Sequence, residues 1–220
     1  METTKTATYQ DWIQFLFDHD ESQGDWRFDV NLVEIRVTEV QIVDFVTRMF
    51  ENFEKDVAHY SDWQIGMGLD YVFNGSCSDF AFALRDQPAP LEKRLAAIRS
   101  LKLMYAHCFE PRCEPVLGHW DERGNGLNHI CYMLWDVTPL DYVEGNPEGQ
   151  EIHGAVIDVM KYALGLNNIA CIESGLHGLG HLTFHNPQAA QIIQAFKKNT
   201  KGLDSRLLSY AQAAQMGCIQ

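Results

Sequence analysis

The chain has 220 residues, 46% of them hydrophobic, and 17 Lys and Arg stand against 30 Asp and Glu for a net charge of −13. That length suits a single domain with a substantial core. The acidity disfavours nucleic acid and anionic membranes, both of which require phosphate neutralisation, and is compatible with a basic protein partner. METTKTATYQDW has no apolar signal core, and no apolar run reaches the ~18 residues a membrane helix needs, so a cytoplasmic protein without membrane contact is expected. Cysteines 77, 108, 113, 131, 171 and 218 form no C-x-x-C pair and read as thiols, mostly buried, in a reducing compartment.

Tyr9–Asp18 is a short amphipathic helix carrying Trp12, Ile13, Leu16 and Phe17. Residues 26–37 alternate apolar and polar side chains, which fits a strand or an extended packed segment; a lone strand has no partner, so the extended segment fits better. Thr38 and Gln41 form a capping-box pair opening a helix to His59, with Val40, Val43, Val46, Met49, Phe50 and Phe53 on one face. Ser61 and Gln64 repeat the signal before a helix to Phe73, where Gly66 and Gly68 permit close approach. A short helix at Cys77–Leu84, a long one at Leu91–Phe109, a loop with Pro111, Pro115 and Gly118, and a helix at Gly126–Trp135 follow. Residues 138–150 are rich in Pro, Gly and Asp and form an exposed loop. Helices at Ile152–Leu164, Asn168–Thr183, Pro187–Asn199 and Leu203–Cys218 complete the chain, and their short links imply antiparallel neighbours. The expected fold is therefore one all-α domain over residues 1–220, with about nine helices arranged as hairpins stacked into an α-α superhelix.

The stretch Cys171–Asn186, CIESGLHGLGHLTFHN, stands out. Ile169, Ile172, Leu176 and Leu179 have helical spacing, yet Gly175, Gly178 and Gly180 each cost about 1 kcal/mol in a helix interior. Tertiary packing must recover that loss. Ala170, Ser174 and Gly178 form a row of small residues, so a neighbouring helix backbone is expected to lie close to Gly178. Pro187 ends the helix, and His185 falls in or beyond its last turn.

Tyr60–Phe73, YSDWQIGMGLDYVF, and Glu173–Leu182, ESGLHGLGHL, resemble a group of bacterial all-helical proteins of similar length with S-D-x-Q-[IV]-x-x-G-L and E-S-x-L-H-G-L-G-H segments. The C-terminal half also resembles HEAT-type helical pairs. The resemblance implies an all-α superhelical fold and brings no activity with it.

Glu173, His177 and His181 are spaced by four, so all three can face one site. Two imidazoles and a carboxylate suit Zn or Fe. H-E-x-x-H is absent, and a fourth ligand must come from His107, His129 or His153. Alternatively, the histidines hydrogen-bond across a tight helix crossing and no cofactor is held. Cys108 and Cys113 with His107 and His119 are a weaker metal set. Ser174 lacks the G-x-S-x-G context of a nucleophile and reads as a small packing residue. The tryptophans read as core with a few interface anchors, and Lys197, Lys198, Lys201 and Arg206 as a solvated basic face. The leading expectation is a non-enzymatic, acidic helical scaffold or inhibitor, immunity-like in one version, binding a protein partner around Glu173, Ser174, His177, Gly178 and His181. The competing expectation is a metal-dependent enzyme on Glu173, His177 and His181.

Overall fold

The computed structural model describes residues 6–33, 35–86, 88–199 and 202–219. Its helices are α1 (Tyr9–Phe17), α2 (Glu39–Glu51), α3 (Phe53–Asp56), α4 (Asp62–Phe73), α5 (Phe80–Arg85), α6 (Leu91–Met104), α7 (Glu110–Arg112), α8 (Asn128–Val137), α9 (Gly149–Ala163), α10 (Ile169–Leu182), α11 (Pro187–Asn199) and α12 (Ser205–Gln215). Among the described residues there is no strand, and nine of these helices run nine residues or more. The fold is all-α, and no helix among the described residues is long and apolar enough to cross a membrane.

Local chemistry sets the helix starts. Thr38 with Gln41 and Ser61 with Gln64 both form reciprocal capping boxes, as does Thr8 with Asp11. The Thr38–His59 helix is shorter than its periodicity suggests: α2 stops at Asn52, and a single turn, α3, follows. Val40 departs from the predicted apolar face and is exposed, whereas Val43, Val46, Met49, Phe50 and Phe53 are buried. Pro111 lies in a helical turn rather than in a loop. α6 widens into a π turn at Tyr105–Phe109 and runs on through α7, which accommodates a residue that has no N–H to give the preceding turn. The described residues of 26–37 form turns and irregular backbone rather than a strand, with Trp26 buried and Phe28, Val30 and Val33 exposed. The 138–150 loop holds one short 3-10 turn that buries Leu140.

Packing is organised around α10. Consecutive helices from α9 to α12 touch, as their short links require, but the broadest contacts of α10 are with α8 and α12. Twelve of its fourteen residues are buried, all but Ile169 and His181. The glycines make this possible, though not in the way the small-residue row suggests. A Cβ at Gly175 would lie 2.7 Å from the Met160 backbone oxygen, so α9's backbone makes its close approach there. A Cβ at Gly178 would instead meet the Met160 methyl at 2.6 Å and the Trp135 ring at 2.7 Å. Gly178 is therefore a notch for side chains and not a backbone crossing.

Candidate metal centre

The centre lies where α8, α10 and α12 meet. The spacing of four on α10 stacks Glu173, His177 and His181 along one side of the helix. Asp136, near the end of α8, reaches across. Its Oδ2 lies 2.6 Å from His177 Nε2 and its Oδ1 lies 2.8 Å from His181 Nε2. The two Nε2 atoms are 3.1 Å apart. Taking one ligand atom from each residue, the three lie within 4.8 Å of one another, close enough to be drawn onto a single ion with bonds of about 2.1 Å. Asp136, His177 and His181 are the one group of three or more His, Cys, Asp or Glu side chains among the described residues that could share an ion.

The surroundings are graded from dry to wet. His177 is 1% exposed, whereas Asp136 and His181 are 27% and 31% exposed, so one ligand is anchored in the core and the other two form a rim. Behind His177, its Nδ1 lies 2.5 Å from the Tyr210 hydroxyl on α12, and the Tyr132 ring of α8 meets it edge-on at 4.8 Å. Burial pushes the Tyr210 hydroxyl well up, and the neighbouring Tyr132 adds to the effect, so Tyr210 stays protonated. Such a partner on Nδ1 fixes the ring and leaves Nε2 to face the site. Burial also pushes the Asp136 carboxyl up, but hydrogen bonds and charge from His177 and His181 outweigh that and hold it well below the usual carboxylate range.

Glu173 does not join this cluster. Its buried carboxylate accepts the backbone N–H of Gly118 at 2.6 Å and of His119 at 3.1 Å, and pairs with the His119 ring. It pins the Gly118–Trp120 turn against α10, and the His119 ring then stacks on Tyr210 at 4.3 Å. Of the predicted Glu173–His177–His181 set, the structure brings His177 and His181 together with Asp136 and leaves Glu173 outside the group. Ser174 is fully buried and shares a 2.7 Å hydrogen bond with the Tyr105 hydroxyl, a packing role and not that of a nucleophile.

None of the three expected fourth ligands arrives. His153 Nε2 is 2.7 Å from the Asp141 carbonyl, and neither His107 nor His129 enters the cluster. Cys108 and Cys113 are buried without forming an ion-sized group with His107 and His119. Lys197 bonds Gln212 and Gln215, and Arg206 bonds Asp204 and Glu122; Lys201 lies outside the described residues. Asp136 and Tyr210 are the two residues that the sequence reading passed over. Asp136 sits one residue past the predicted end of its helix, and its one signal is a carboxylate beside the apolar run from Ile130 to Trp135.

No family model, curated protein or solved structure matches this chain.

Proposed function

We propose that the chain is a metal-dependent enzyme that holds one divalent transition ion, Zn or Fe, between Asp136, His177 and His181. The observation that carries this reading is the convergence of two imidazole Nε2 atoms and one carboxylate within about 3 Å of one another at a partly exposed rim. Three protein ligands leave coordination positions for water and substrate, the arrangement of catalytic rather than structural sites. The chemistry that suits it is Lewis-acid activation of water for hydrolysis, since a bound ion brings water's pKa toward neutrality. His177 supplies the fixed ligand, held from behind by Tyr210, while Asp136 and His181 supply the ligands nearest solvent.

Elemental analysis of protein purified without chelator or histidine tag tests the reading. One ion per chain is expected, and none in the His177→Ala/His181→Ala double variant, with helicity retained in both. Failure of the wild-type protein to take up Zn(II) or Fe(II) under any loading condition would overturn it and leave the histidines as helix-crossing residues.

The interaction-module reading keeps one observation in its favour. Phe28, Val30 and Val33, exposed by 60%, 97% and 85%, share one loop of an acidic chain. Clustered apolar exposure of this kind marks contact surfaces. Replacing all three with Ser should leave the melting temperature unchanged and abolish co-purification of a stoichiometric protein partner; if no partner co-purifies with the wild type, this second reading fails.

A further inference from the structure

A cleft walled in part by Tyr210, but by none of Asp136, His177 and His181, is unclaimed by the proposed chemistry. It measures about 460 Å³, within the range of small-molecule sites, and its walls include His119, Trp120, Arg206, Tyr210, Cys218 and Ile219. We propose that this cleft binds an uncharged planar aromatic molecule.

The walls are aromatic and fixed. Glu173, buried in α10, holds both the backbone and the ring of His119, and the ring lies nearly flat on Tyr210, 4.3 Å away and tilted by 21°. Trp120 follows at once, edge-on to His119 at 6.1 Å, with the Arg206 guanidinium 5.8 Å from its ring centre. Its indole is nevertheless 58% exposed, an unusual placement for the largest apolar side chain in a chain that buries Trp12, Trp26 and Trp135. Rigid rings set around a concavity favour a flat guest, because stacking is gained with little ordering of the host.

Charge selects against ions. Arg206 is the cation of the cleft, and it is already bonded to Glu122 at 2.5 Å and to Asp204 at 2.6 Å. Two carboxylates against one guanidinium leave no positive charge for an anion. Glu122 also accepts the Leu117 N–H at 2.8 Å, so this ion network is part of the loop's scaffold and is not held in reserve for a ligand. The guanidinium beside the Trp120 ring likewise fills the place that an organic cation would seek. A neutral ring is the guest that remains.

Cys218 gives the test. It is the exposed thiol and it lines the cleft; Cys108, Cys113, Cys131 and Cys171 are buried, and burial together with Asp70 pushes the Cys77 thiol up to about 12. The rate of Cys218 alkylation by iodoacetamide, followed by peptide mass spectrometry on the full chain, therefore reports occupancy. Indole is the neutral planar probe, cyclohexanol the neutral non-planar one and benzoate the anionic one. Saturable slowing by indole is expected, with none from cyclohexanol or benzoate, and with loss of protection in Trp120→Leu, measured against that variant's own unliganded rate. Saturation-transfer NMR on indole should give the same ranking with no dependence on the thiol. Equal protection by cyclohexanol, stronger protection by benzoate, or protection that survives Trp120→Leu would each overturn the inference, as would absence of both signals for indole. None of these outcomes depends on whether Asp136, His177 and His181 hold a metal.

Discussion

Two carboxylates on helices of this molecule face basic side chains from elsewhere in the chain, and they do different things. Asp70, buried on α4, receives the Arg27 guanidinium, with the Asn74 amide 3.4 Å away and the Cys77 thiol 3.6 Å away. Arg27 is in turn tied to Asp25 at 2.7 Å. Each charge there is matched by a partner that cannot exchange it, because a guanidinium keeps its protons at any pH a protein survives. Asp136 faces two imidazoles, each of which can give up its proton and offer a lone pair to an ion. The first pair is closed and fastens the 25–29 turn onto α4, whereas the second is open and partly wet. A buried acid–base pair is thus a lock or a site according to the chemistry of its base and not according to its burial alone.

The largest effect should come from breaking the closed pair. Asp70→Asn removes the buried one of Arg27's two carboxylate partners, leaving it only the more exposed Asp25, and should cost about 3 kcal/mol in urea unfolding, with no change in bound metal. If stability is unmoved, the closed pair is not a lock and the contrast fails. Next comes the helix that carries the open pair. Gly178→Ala drives a methyl into the Trp135 ring and should cost about 2 kcal/mol by overpacking, whereas a change near zero would show that Trp135 can move aside. Tyr210→Phe removes the hydroxyl behind His177 and should lower metal affinity by about 10- to 100-fold, measured by competition with a chromogenic chelator, while costing only about 1 kcal/mol in stability. An unchanged affinity would mean that packing alone orients the His177 ring.

The smallest effect is one of pH. The folded Asp136 carboxyl lies below its unfolded value of about 3.9. Its contribution to stability is therefore complete above the unfolded value and is lost as pH falls through it toward the depressed folded value. The gap in urea midpoint between the metal-free wild type and Asp136→Asn should narrow as pH falls below about 4. A gap that stays constant down to pH 3 would remove the electrostatic half of the contrast.

The helices were legible wherever their signals were local. Capping boxes at Thr38 and Ser61, the Pro187 start and the glycine-rich character of 171–186 all lie within a few residues of what they control. Two of the three residues of the candidate metal centre were legible for the same reason, since His177 and His181 sit one turn apart on one helix. Glu173, one turn earlier, obeys the same spacing and yet turns to the His119 backbone, because two N–H donors of the Gly118–Trp120 turn are placed there to receive it.

What the sequence by itself determined is the all-α class, the helix starts, the buried character of α10 and the two histidines that share a face, because each follows from side chains a turn or less apart. What only the tertiary structure decided is which carboxylate completes the centre, which glycine meets a backbone and which tryptophan is left in the open. Asp136 stands 41 positions from His177, and Tyr210 stands 33 away on the other side. No periodicity links residues so distant; they meet because α8 and α12 both pack on α10, where the glycines leave room for them.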